Sequence, residues 1–82
     1  MEINVVAMIE DELTTTKHYY EWSKYYINKD RYRSSTLAEI SKQELSHAKF
    51  WISWLKDSEQ RDYYIEKYNK LYRMIYGGEF NE

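Results

Sequence analysis

Residues 37–55 read Leu37-Ala38-Glu39-Ile40-Ser41-Lys42-Gln43-Glu44-Leu45-Ser46-His47-Ala48-Lys49-Phe50-Trp51-Ile52-Ser53-Trp54-Leu55. No proline or glycine interrupts them, and core-type residues return at helical period. The expected inward stripe is Leu37, Ile40, Ser41, Glu44, His47, Ala48, Trp51, Trp54 and Leu55. Glu44 and His47 stand out in it. Three apart on a helix, they share one face and point the same way. A carboxylate on an apolar stripe is costly unless its charge is compensated.

Working outward, the whole chain has the same character. It has no proline, and its two glycines are adjacent at Gly77 and Gly78. Strand-like alternation is not sustained anywhere, and there is no repeat, low-complexity tract or linker. One all-α domain over 1–82 is expected, an antiparallel helical hairpin followed by a short third helix. Helix one is expected over about 4–28, with Val5, Val6, Ile9, Leu13, Tyr19, Tyr20, Tyr26 and Ile27 as its apolar stripe. Thr14, Thr15 and Thr16 are poor helix formers, so packing must carry that turn. Asn28, Lys29 and Asp30 form the best turn. Asp30 is preferred as the cap of helix two, over about 31–56, with Thr36 and Glu39 a competing capping box. Asp57 or Ser58 starts helix three, over about 58–76, which carries Tyr64, Tyr68, Leu71, Tyr72 and Ile75 and which Gly77 is suited to close. The tail from Glu79 to Glu82 reads as frayed.

Composition narrows the functional classes. At 82 residues with no cysteine, the chain is near the size where one core barely suffices, and no disulfide can reinforce it. Oligomerisation or a metal are the remaining common devices. The net charge of −2 comes from interleaved acids and bases, which argues against nucleic acid or a membrane surface as partner. No apolar run approaches the ~20 residues of a membrane span. The opening residues lack the pattern of a signal peptide, so the expected location is the cytoplasm. Ten tyrosines and three tryptophans are more aromatic surface than one small monomer can hide. That excess points to self-association, as a homodimer or higher homo-oligomer.

A register test links the two helices. If the hairpin turns near residues 29 and 30, opposed residues have numbers summing to about 59. Glu12 then lies opposite His47, one turn from Glu44. Two carboxylates and an imidazole brought to one level need a cation, and a divalent metal supplies it. Mixed carboxylate and imidazole donors suit iron or manganese, with zinc possible, and no thiolate is present to favour softer metals.

The residues Glu12, Tyr19 seven positions on, and Glu44-Leu45-Ser46-His47-Ala48 resemble the ferritin-like superfamily, most closely its rubrerythrin-type and encapsulated-ferritin-type members. The resemblance covers roughly residues 8–55. It implies a di-iron carboxylate site in which Glu12, Glu44 and His47 are metal ligands and Tyr19 supports catalysis, as a hydrogen-bond donor or electron carrier. The full-length family fold has two further helices with no counterpart here, as in the two-helix members that build the site across a dimer. The implied assembly is a homodimeric four-helix bundle holding two ions, reactive toward oxygen or peroxide. No recognisable encapsulin-docking tail is present.

Plainer readings stand beside these. A Glu-x-x-His spacing arises readily by chance among ten glutamates and two histidines, and leaves a surface hydrogen bond between Glu44 and His47. Glu10 and Asp11 compete with Glu12 as ligand. Tyr19 equally suits a core aromatic, and Trp51 and Trp54 suit core or interface packing. His18, Glu39, Glu59, Asp62 and Glu66 read as solvated surface groups. The alternative function is a metal-free helical interaction or regulatory protein using its Tyr-rich surface.

Overall fold

The computed structural model describes residues 3–77, and the expected frayed tail lies outside them. Three helices follow one another: α1 (Val5–Tyr26), α2 (Arg31–Ile52) and α3 (Ser58–Tyr72), the last running on into a wide π-helical turn, Arg73–Gly77. Among the described residues there is no strand. The expected all-α hairpin with a short third helix is what the chain forms.

Short polar side chains fix the starts of all three helices. Asn4 accepts from Ala7 N, Asp30 from Arg33 N, and Asp57 from Glu59 N. Each supplies an acceptor for one of the amide groups that a first helical turn leaves unpaired. Asp30, not the Thr36/Glu39 box, therefore starts α2. The link from α1 is tight, with Lys29 N and Asp30 N both donating to Tyr26 O.

Helix two ends four residues before the expected boundary. Ser53 turns its hydroxyl onto Phe50 O, and Trp54 N and Leu55 N close tighter turns onto Trp51 O and Ile52 O. This bend delivers Leu55 to the core, where Arg61 Nη1 donates to its carbonyl at 2.8 Å. The partner that stabilises the bend lies on the next helix, so local propensity gives no warning of it. Helix three departs from expectation at its far end, where α-helical bonding stops at Tyr72 and the chain widens through Gly77.

The core is built from Ile9 and Leu13 of α1, Leu45, Ala48 and Ile52 of α2, Leu55, and Tyr64 of α3, with Tyr68, Leu71 and Ile75 packed against it. Nearer the hairpin turn, apolar bulk gives way to small hydroxyl residues. Thr16, Ser23 and Ser41 are buried and each donates to a carbonyl of its own helix, while Ser34 donates across to Ser23 O at 2.7 Å. Tertiary packing does carry the threonine turn, because Thr16 is the residue enclosed between the helices.

The inward stripe of α2 is rotated from the expected one. Leu45 and Ile52, absent from that stripe, are buried, whereas His47 and Trp54 are exposed. The cause is α3. It covers one face of the hairpin and draws Leu45 and Ile52 toward it, which leaves the opposite face uncovered. The Cα atoms span 43 × 31 × 13 Å. Among the described residues, α3 and the turn that continues it are the only helical elements besides the hairpin, so no second helix lies over that face.

Candidate metal centre

The uncovered face has its own regular spacing. On α1 it carries Val5, Met8, Glu12, Thr15, Tyr19, Trp22 and Tyr26; on α2, Leu37, Ile40, Glu44, His47 and Trp51, with Trp54 just beyond. Alternating steps of three and four residues are the spacing of a helix–helix seam. Most of these side chains are half-buried, not fully solvated. The two helices together form an apolar seam interrupted midway by Glu12, Glu44 and His47.

The hairpin register brings those three together. Glu44 Oε1 is 3.4 Å from His47 Nδ1, and Glu12 Oε1 is 3.8 Å from the same nitrogen. One donor atom from each lies within 4.8 Å of the others. Donors held about 2.0–2.2 Å from one ion stand roughly 3–4 Å apart, so little adjustment separates this cluster from a coordination sphere. Among the described residues no second acidic or imidazole cluster of three converges in this way.

Burial is graded across the cluster. The Glu12 side chain is 15 % exposed, Glu44 25 % and His47 58 %. Burial, a hydrogen bond to Glu44 and that group's negative charge push Glu12 up to about 7, with Asp11 adding to the rise and His47 opposing it. Burial is the largest of these causes, and the second carboxylate beside Glu12 adds to the rise. The Thr16 hydroxyl donates to the Glu12 carbonyl one turn back, within α1.

The structure also separates Glu12 from its rival. Glu10 faces the other side of α1 and accepts a hydrogen bond from the buried Tyr64 hydroxyl. That bond, with burial, pushes Tyr64 up to about 12. Asp11 is exposed. The Glu10–Tyr64 pair joins residues 54 apart in sequence, and no local pattern announces it. The seam itself was readable, through the three–four spacing of Met8, Thr15 and Trp22 around Glu12.

Tyr19 is half-buried on the seam. Its ring meets Trp22 edge-on at 5.5 Å, and among the described residues no hydrogen bond joins its hydroxyl to the cluster. His18 is exposed and stacks on Trp22. Glu39 is exposed and pairs with Lys42 at 3.9 Å; Glu59, Asp62 and Glu66 are exposed too. Trp51 packs partly against the core, and Trp54 projects into solvent.

No protein-family model, curated protein or solved structure matches the chain.

Proposed function

We propose that this chain is a metal-binding protein in which two hairpins close a ferritin-like four-helix bundle around a dinuclear carboxylate–histidine centre. The observation that carries the reading is the convergence of Glu12, Glu44 and His47 within 4.8 Å on a half-buried seam. One copy offers two carboxylates and one imidazole from one side only. A second copy related by a two-fold axis doubles the set to four carboxylates and two imidazoles and covers the seam.

The donor chemistry fits iron, with manganese or zinc as alternatives: hard anionic oxygens favour a higher-charged ion, and imidazole adds a borderline donor. Glu12 and Glu44 would hold the ions and balance their charge, and His47 would add a neutral donor. A pair of Fe(II) ions bound there would supply two-electron chemistry toward oxygen or peroxide, that of a ferroxidase-type site. Tyr19, on the same seam two turns from Glu12, is placed to serve as a hydrogen-bonding or electron-carrying neighbour once the seam is closed.

The deciding experiment is purification from iron-supplemented cells, with metal per chain and solution mass measured together. Stoichiometric metal in a dimer or larger assembly is expected, lost in Glu44→Ala and kept in His18→Ala. Equal retention by the two variants refutes the site. Fe(II) oxidation under air, followed by absorbance, separates turnover from passive binding: equal rates for wild type and Glu44→Ala remove the enzymatic claim.

A second reading has its own support. Tyr32 is 81 % exposed, and Tyr25, 61 % exposed, lies beside Trp22, Tyr26 and Leu37 at the hairpin-turn end. A metal-free interaction protein would use such a surface, and a metal content of zero after iron supplementation would favour it.

A further inference from the structure

Lys67 and Lys70, three apart on α3, share one helix face. Opposite them on α1 stands Lys17. Between these walls the two helices leave a cleft of about 320 Å³, near the small end of the range for small-molecule sites. Its floor is apolar: Leu13 and Tyr64 are buried, and Leu71 and Met74 are half-buried. Its rim carries the three lysines. The cleft lies on the α3 side of the hairpin, and none of Glu12, Glu44 and His47 lines it.

The charges of the cleft do not cancel. Its one acid is Glu10, which the Tyr64 hydroxyl already engages. Among the described residues, Lys17, Lys67 and Lys70 form no ion pair with any carboxylate. Lys67 is held instead over aromatic rings, 4.8 Å from the Tyr63 centroid and 6.0 Å from that of Tyr64. On the outer flank of Lys67 and Lys70, Glu66 and Arg73 oppose one another in sign. Thr14 adds an available hydroxyl. Thr15 and Thr16 donate to carbonyls of their own helix, whereas among the described residues Thr14 makes no hydrogen bond. Met74 belongs to the π-helical turn, a form that recurs at functional sites, and its unbranched thioether adapts to what lies against it.

We propose that this cleft binds one free medium-chain fatty acid, with the acyl chain along Leu13, Leu71 and Met74 and the carboxylate held by Lys17, Lys67 and Lys70. A neutral apolar molecule would cover the cationic rim without pairing it. Inorganic phosphate would pair the rim and leave the apolar floor in water. An amphipathic anion answers both, and a trough between two helices suits a chain better than a ring. The site goes beyond the metal reading and does not rest on it.

Calorimetric titration of the full chain, in chelator and below the micelle concentration of each acid, tests the proposal. Hexanoate, octanoate and decanoate should bind one per chain. Each added methylene should strengthen binding by up to about fourfold, the equivalent of about 0.8 kcal/mol per buried CH₂. Decanol and phosphate should each bind at least about tenfold more weakly than decanoate. The double variant Lys17→Gln/Lys70→Gln should lose about tenfold in decanoate affinity and nothing in decanol affinity. Lys24→Gln/Lys29→Gln, which removes the same charge at the hairpin turn, should bind decanoate as the wild type does. All four positions are exposed, so helicity should be unchanged in both variants. Equal weakening in the two double variants would reduce the effect to net charge and overturn the site. So would decanol matching decanoate, uptake beyond one per chain without saturation, or no uptake at all. Binding to phosphatidylglycerol vesicles without binding of decanoate would overturn it in favour of a membrane surface. Glu44→Ala should bind decanoate like the wild type, so failure of the metal reading and failure of this one are separate results.

Discussion

The two faces of the hairpin are built from the same two helices and end in different states. On the face toward α3, Ile9, Leu13, Leu45 and Ile52 are buried and joined by Tyr64. On the other, Val5, Met8, Ile40 and Trp51 are only half-covered, and a carboxylate–histidine cluster sits among them. The covered face satisfies its polar groups within the chain, as Glu10 and Tyr64 do. The open face leaves Glu12 and Glu44 crowded, with Glu12 raised to about 7. The two faces thus differ in how their carboxylates are placed: Glu10 accepts from Tyr64, whereas Glu12 lies beside a second carboxylate.

The sharpest way to break this contrast is truncation on each side. Leu45→Ala should destabilise the chain by about 2–5 kcal/mol, measured by chemical denaturation at low protein concentration. In so small a domain that is a large part of the total stability. Ile40→Ala, on the open face, should cost the isolated chain about 1 kcal/mol or less, because that side chain is already partly solvated. Equal losses would mean that the two faces do not differ as described.

The next effect is on pH dependence. Folded Glu12 keeps its proton to about 7 against a usual 4.5. Between these values the folded chain binds more protons than the unfolded one. Stability of the metal-free chain should therefore fall as pH rises from 4.5 to 7, by roughly 1–3 kcal/mol, and level off above. Glu12→Gln should flatten this slope and make the metal-free chain more stable at pH above 7. Metal competes with the same proton, so metal binding should strengthen as pH rises through that range. Thermal melts across pH, with and without metal, check both signs, and a slope unchanged in Glu12→Gln would assign it to another group.

A smaller effect tests the finished face. Tyr64→Phe should cost about 1–2 kcal/mol by leaving Glu10 without its donor, while metal per chain stays at the wild-type value. Loss of metal in that variant would show that the two faces are coupled. The smallest effect is expected for Glu39→Ala, whose exposed pair with Lys42 should contribute within about 0.5 kcal/mol by the same denaturation assay.

Much of the fold was legible because its signals are local. Asp30 and Asp57 are short polar acceptors at helix starts, and an unbroken helical period between them has one reading. The juxtaposition of Glu12 with Glu44 and His47 was legible too, since a tight turn at Asp30 fixes the register of everything behind it. The buried stripe of α2 lies one side round from the one its periodicity predicts. Leu45 and Ile52 are as apolar as Ile40 and Trp51, and when a helix is apolar on two sides, periodicity cannot rank them. The end of α2 is not legible in the sequence, because a guanidinium on α3 holds the Leu55 carbonyl.

By itself, then, the sequence determined the helices, their caps, the tight hairpin and the level at which two acids and an imidazole meet. All of these depend on neighbours within a few residues or on counting back from one turn. Only the tertiary structure decided which face of the hairpin α3 covers, and hence that Glu10 is bound to Tyr64 while Glu12 remains on the open seam. That choice depends on side-chain packing between segments some 50 residues apart, where volume and shape select one face and no local pattern records the outcome.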